Sequence, residues 1–255
     1  MTVLAVVAHP DDIEFMMAGT LLLLRQAGAK IHMWNLANGC CGSVKYAKKK
    51  IIAIRAREGK AAAQLAEAVY HPAFFDDMGI FYDASSLARI GSLLRKIAPQ
   101  IVLTHFLHDY MEDHQNTCRL VVSGMFARGM RNFKTKPAYP TYDTPVAIYH
   151  ALPHGLKDGL GQSIKPSFFV DIESVLQTKR KMLACHRSQK EWLDTSQGMN
   201  AYLNEMEFLS RKVGGMSGCY RFAEGWSQHS HLGFAPLGFN PLKELLKQKY
   251  HYSTK

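Results

Sequence analysis

The 255-residue sequence has no run approaching the ~18 consecutive apolar residues of a membrane-spanning helix. Its longest candidate, Phe15 to Leu24, is too short and follows Asp11, Asp12 and Glu14. The opening residues MTVLAVVAHPDD carry no basic segment ahead of their apolar run, so a cytoplasmic location without a secretory leader is expected. Cysteine is sparse: five in all, with Cys40 and Cys41 adjacent, the other three isolated and no C-x-x-C pair. An odd count without paired spacing excludes a disulfide framework and a zinc ribbon and predicts reduced thiols. Internal repeats, low-complexity tracts and the signatures of the common nucleic-acid-binding modules are also missing.

What is present suits a globular protein. An apolar share of 47% with 11% aromatics can bury a core and excludes a disordered chain. The length fits one α/β domain, or a domain with a small cap. The formal charge is +10, from 31 basic and 21 acidic residues. Such an excess points to a nucleic acid, an anionic membrane face or a negatively charged small molecule.

The segment Val3–Ala8 is short, apolar and β-branched, and predicts a buried parallel strand. Asp11 and Asp12 stand where a helix N-cap belongs, ahead of a helix Ile13–Gln26 closed by Gly28. The pattern continues with strand Lys30–Leu36, a turn from Asn38 to Ser43, helix Lys48–Ala68 and a third strand Val69–Phe75. Next come helix Asp83–Ile97, capped by Asp83 or Ser85, and strand Gln100–His105. A helix capped by Asp113 then runs to about Arg128. The alternation predicts a single Rossmann-like α/β domain with a mostly parallel, twisted sheet flanked by helices. Further elements are strands Val146–Tyr149 and Phe168–Ile172 and helices Glu173–Cys185 and Asn200–Val213. The main domain is set at residues 1–240, and residues 241–255 read as a basic C-terminal tail or helix.

The segment Ala8-His9-Pro10-Asp11-Asp12-Ile13-Glu14 ends the first strand, where open parallel sheets bind ligands. Two adjacent carboxylates repel each other and call for a cation. A second segment, Thr104 to His114, follows the fourth strand. In a doubly wound sheet of order 3-2-1-4 the crevice opens between strands one and four. His9, Asp12 and His114 can therefore converge. Two imidazoles and one carboxylate with an open position are the ligand set of a catalytic zinc site.

These residues resemble the LmbE/PIG-L family of zinc-dependent N-deacetylases. Weaker echoes lie at Asn38-Gly39 to Gly42, Arg55 to Glu58, His186-Arg187-Ser188-Gln189 and Ala223-Glu224-Gly225-Trp226. The resemblance implies Zn2+ held by His9, Asp12 and His114. It also implies Asp11 as the general base that takes a proton as zinc-bound water attacks an amide. The implied substrate is an N-acetylated amino sugar such as an N-acetylglucosamine derivative, a glycoconjugate or a related metabolite. Arg55 and Asp109 are expected at the substrate, Arg55 as a bidentate grip. An Arg55–Glu58 structural pair is the competing reading, because both fall on the inward arc of their helix.

One position departs from the family. Where its members often carry a histidine that steadies the tetrahedral intermediate, this chain has Met111, which donates no strong hydrogen bond. His108, Tyr110 and His150 are the candidate replacements. The competing readings are a zinc amidohydrolase of other acyl amides and a non-catalytic Rossmann-like module that binds metal or nucleotide. The +10 charge concentrates around Lys45–Lys60, around His186 and in the tail. It therefore suggests an anionic small substrate, such as a phosphorylated sugar, rather than a nucleic acid or a membrane. A homo-oligomer is compatible with the sequence, though no residue requires one.

Overall fold

The computed structural model describes residues 1–191 and 201–253. Five parallel strands form the first part of one sheet: β1 (Thr2–Val7), β2 (Lys30–Asn35), β3 (Val69–His71), β4 (Ile101–Thr104) and β5 (Ala147–Ala151). Three antiparallel strands complete it: β6 (Phe168–Asp171), β7 (Ala223–Gln228) and β8 (Tyr250–Tyr252). The order is β3-β2-β1-β4-β5-β7-β6-β8, so the expected 3-2-1-4 reversal is present. Strands β1, β2 and β4 are buried along almost their whole length, because helices cover both faces.

On one face lie α1 (Asp12–Met16), α2 (Ala18–Gln26), α3 (Lys48–Leu65), α6 (Leu176–Leu183) and α7 (Ala201–Ser217). On the other lie α4 (Ala84–Ile97) and α5 (Glu112–Phe126). Asp83 caps α4 by accepting the Ser86 N–H at 2.8 Å. Helix α3 buries Ile51, Arg55 and Ala62 as its periodicity requires, whereas Leu65, on the same arc, is exposed. Helix α7 starts at the first residue described after 191, and Asn200 lies outside the described residues.

Several elements depart from the sequence pattern. The helix expected over Ile13–Gln26 is broken at Met17, whose φ of −143° is not helical. The N–H groups of Gly19 and Thr20, freed by the break, donate to the Glu224 carboxylate at 2.8 and 2.7 Å. The strand expected over Val69–Phe75 ends at His71, because Pro72 offers no N–H to the ladder. Helix α5 begins at Glu112 with Met111 at its N-cap, so Asp113 is not the cap. Strand β7 gives little sign in its sequence, with Glu224 and Gly225 at its centre. Both are explained by contacts: Glu224 pairs with buried Lys179, and a Cβ on Gly225 would lie 2.6 Å from Leu152. The segment after residue 240 is helix and strand together. Helix α8 (Pro241–Leu246) buries Leu242 and Leu246, and β8 pairs with β6 at the sheet edge.

Candidate active site

A cavity of about 590 Å³ opens at the carboxyl ends of β1 and β4. The turn after β1 brings His9, Asp11 and Asp12 to its floor, and the start of α5 brings His114. Asp11 adopts φ 103°, which costs a non-glycine residue about 1–3 kcal/mol. With Asp11 in this left-handed turn, the two adjacent carboxylates meet different partners.

Asp12 faces the histidines. Its Oδ2 lies 3.6 Å from His9 Nδ1 and 3.4 Å from His114 Nε2, and those two nitrogens are 3.4 Å apart. Each imidazole is fixed by a carboxylate at its far side. His9 Nε2 donates to Asp113 Oδ2 at 3.0 Å, and His114 Nδ1 donates to Asp109 Oδ1 at 3.0 Å. With the far nitrogens bonded to carboxylates, His9 Nδ1 and His114 Nε2 face each other beside a carboxylate oxygen, the positions from which they would meet a cation. Two atoms bonded to a tetrahedral ion at ~2.0–2.1 Å lie ~3.3–3.4 Å apart, close to the separations found here. This donor set fits a divalent cation, and the outer carboxylates supply the usual orienting shell. Burial opposes a charge on His9, but its bonds to Asp113 and Asp12 raise its pKa to about 10, so an arriving metal displaces a proton there. Burial also works against the charge of Asp12, yet His114, His105 and His9 hold its carboxyl well below the usual range.

The overlapping group His105, Asp109 and His114 is less open to a cation. His105 Nε2 accepts the Ala8 N–H at 2.8 Å, so its lone pair is occupied. Its ring instead stacks on His114, 3.9 Å between centroids and 9° from parallel.

Asp11 faces the other way. Its Oδ2 accepts the Tyr202 hydroxyl at 2.7 Å and lies 3.3 Å from Arg55 Nη2. Arg55 also donates to the Pro10 carbonyl. Burial is the largest influence on Asp11 and pushes its carboxyl up, while the Arg55 guanidinium pulls it down. Arg55 is itself packed under the loop after β2: a Cβ on Gly39, at φ 75°, would lie 2.4 Å from its Cδ, and one on Gly42 2.5 Å from its Nη1. Glycine is required at both places.

The expected site residues thus separate into two sets. His9, Asp11, Asp12 and His114 share the floor of one cavity. Arg55 and Asp109 also line it: Arg55 Nη2 lies beside Asp11 and Asp109 Oδ1 accepts from His114, while Arg55 Nε and Asp109 Oδ2 have no partner. The Arg55–Glu58 pair is absent, since Glu58 accepts from the Ser188 N–H and hydroxyl. Among the replacements for Met111, His150 is buried behind the site and bonded to the His105 carbonyl and to His229. His108 does not line the cavity, whereas Tyr110 does. The anionic substrate finds no support in the lining: Arg55 is its single Lys or Arg among the described residues, against Asp11, Asp12, Asp77, Asp109 and Glu205. The lysines of α3 are on its exposed side.

Sequence reasoning passed over His105, Asp113, Tyr202 and His154. His105 and Asp113 lie inside the second motif and were within reach of the argument that found His114. Tyr202 and His154 carry no local signal, because only folding brings α7 and the loop after β5 against α1.

The chain is similar to several known proteins. Residues 4–125 match the family model for PIG-L, GlcNAc-PI de-N-acetylase. The diacetylchitobiose deacetylase of Thermococcus kodakarensis is 26% identical over 230 residues, spanning 88% of this chain and 81% of that protein. The 4-oxalmesaconate hydratase of Pseudomonas putida is 28% identical over 197 residues, 73% of each chain. Among solved structures, the N,N'-diacetylchitobiose deacetylase from Pyrococcus horikoshii superposes with a TM-score of 0.76 at 21% identity, covering 94% of this chain and 88% of that one. The 4-carboxy-2-hydroxymuconate hydratase from Pseudomonas putida gives 0.73 at 22% identity, covering 94% and 98%. Both superpositions establish the fold.

Proposed function

Residues 4–125 belong to the LmbE/PIG-L family, and from that premise we propose that the protein is a zinc-dependent N-deacetylase of an amino sugar, glycoconjugate or related small metabolite. The observation that carries this reading is the convergence of three cation-directed donor atoms with a separate carboxylate on one cavity floor. His9, Asp12 and His114 would hold the ion. When bound, zinc supplies Lewis acidity and lowers the pKa of water to ~7.

The chain's own groups do the rest. Asp11 takes the proton from the attacking water, and the same carboxyl then delivers it to the departing amine nitrogen. Tyr202 and Arg55 both contact Asp11 Oδ2, which leaves Oδ1 outside those two contacts for this transfer. Burial raises the pKa of Asp11, which strengthens it as a base, and the Arg55 guanidinium opposes that rise. Asp109 and Asp113 orient His114 and His9. Tyr110 takes the place left by Met111: burial pushes its phenol up, so it stays a hydrogen-bond donor for the developing oxyanion.

One observation favours a second reading, the likeness to a hydratase at 28% identity. There Asp11 would manage the proton for addition of water across a carbon–carbon double bond. The test is a panel of N-acetylated mono- and disaccharides and nucleotide sugars, with released acetate as the readout. Acetate that appears with wild type and not with Asp11→Asn is expected. No acetate from any member, together with hydration of an unsaturated dicarboxylate, would overturn the deacetylase reading.

A further inference from the structure

A second cluster of metal-ligating side chains lies where the loop after β2 meets the loop after β3, and the mechanism does not use it. Cys40 Sγ, Cys41 Sγ and an Asp77 carboxylate oxygen are all within 4.8 Å of one another. The two sulfurs are 3.8 Å apart and not bonded. Two thiolates on a tetrahedral ion with metal–sulfur bonds of ~2.3 Å are held ~3.8 Å apart. A bridging cation therefore needs no movement of the sulfurs, whereas a disulfide would need them at ~2.05 Å and an oxidant.

The loop is organised around the third ligand. Asp77 Oδ1 accepts the Gly39 N–H at 2.7 Å and its Oδ2 accepts the Cys41 N–H at 2.8 Å. Each oxygen retains a second lone pair. Cys40 is half-buried and Cys41 exposed, so one ligand is anchored while the other remains open to an incoming ion. Cys41 and Asp77 also line the catalytic cavity. The donors differ in kind from those of the floor. Sulfur selects zinc, cadmium or copper(I) over magnesium or calcium.

We propose that Cys40, Cys41 and Asp77 form a second metal site, at the mouth of the catalytic cavity, for a thiophilic d10 cation of the zinc and cadmium class. Binding breaks two S–H bonds, forms two metal–sulfur bonds and releases two protons to solvent. This site is independent of the chemistry proposed for the floor, where the ligand set contains no sulfur.

Cadmium is the probe, because its sulfur-to-metal charge-transfer absorption reports thiolate ligation and is silent for the His9, Asp12 and His114 set. The full-length protein, already loaded with zinc, is titrated with Cd2+. The expected result is a charge-transfer band saturating at one added equivalent, and its loss in the Cys40→Ser, Cys41→Ser double variant. Cys219→Ser, which removes the other exposed thiol, should leave the band intact. Alkylation with iodoacetamide, mapped by mass spectrometry on wild type, covers the case of a variant that does not fold. One equivalent of cadmium should protect Cys40 and Cys41 together and leave Cys219 reactive. A band that survives the double variant, no band at one equivalent, or no protection of the pair would overturn the proposal.

Discussion

Buried polar groups are treated in opposite ways at the two ends of the sheet. Beside the antiparallel strands, Lys179 is 1% exposed and paired: its Nζ meets Glu224 Oε1 at 2.6 Å, and the same carboxylate closes the start of α2 through two N–H bonds. Beside the parallel strands, Asp11 sits in a left-handed turn, and His9 Nδ1 and His114 Nε2 face each other at 3.4 Å. Asp109 Oδ2 is buried without a partner. An arrangement that leaves such groups unmatched is less stable than it could be, and persists where a ligand completes it. The antiparallel end pairs its buried charges, and the carboxyl ends of β1 and β4 gather a group that could hold a cation beside a cavity.

The comparison can be broken at four points, ordered by their expected effect on turnover. His114→Ala should be the most damaging: turnover falls to background, and elemental analysis finds the stoichiometric metal lost. A variant that retained it would remove His114 from the ligand set. Asp11→Asn should lower kcat by about 10²–10⁴-fold while metal content is unchanged. Asparagine tolerates positive φ, so its Tm should stay close to wild type. Asp109→Ala frees His114 to reorient and should weaken metal affinity by about 10–100-fold, measured by competition with a chromophoric chelator. An unchanged affinity would mean that Asp109 does not orient His114. Lys179→Met should leave kcat/KM per folded molecule at the wild-type value but cost about 3–5 kcal/mol of stability in urea, because Glu224 is then buried without its cation. A fall in kcat as large as that of the Asp109 variant would erase the distinction between the two ends.

How much was legible depended on how local the signal was. The Rossmann-like class could be read from alternating apolar runs and amphipathic helices, and the order of the first four strands follows from the rules for parallel crossovers. The three donor residues and Asp11 were legible because two short motifs concentrate them at strand ends, where ligands bind. Strand β7 was hidden because its Glu224 and Gly225 are dictated by partners in α2, α6 and the loop after β5. The break at Met17 was hidden for the same reason. Asp113 looked like a helix cap, since a carboxylate at a helix start has a local explanation. Its actual partners, His9 and Met78, come from other parts of the chain.

The sequence by itself determined the class of fold and picked out His9, Asp12 and His114, which the fold gathers into a group that could hold a cation, with Asp11 beside them. Those depend on residue type and on short-range spacing. Only the tertiary structure decided that Arg55 lies against Asp11, that Asp109 is bonded to His114, and that Tyr110 rather than His108 or His150 stands at the cavity. It also showed that the strong positive charge lies mostly outside a cavity lined by carboxylates. Each of these depends on which side chain a polar atom meets across the fold, and that is set by long-range packing.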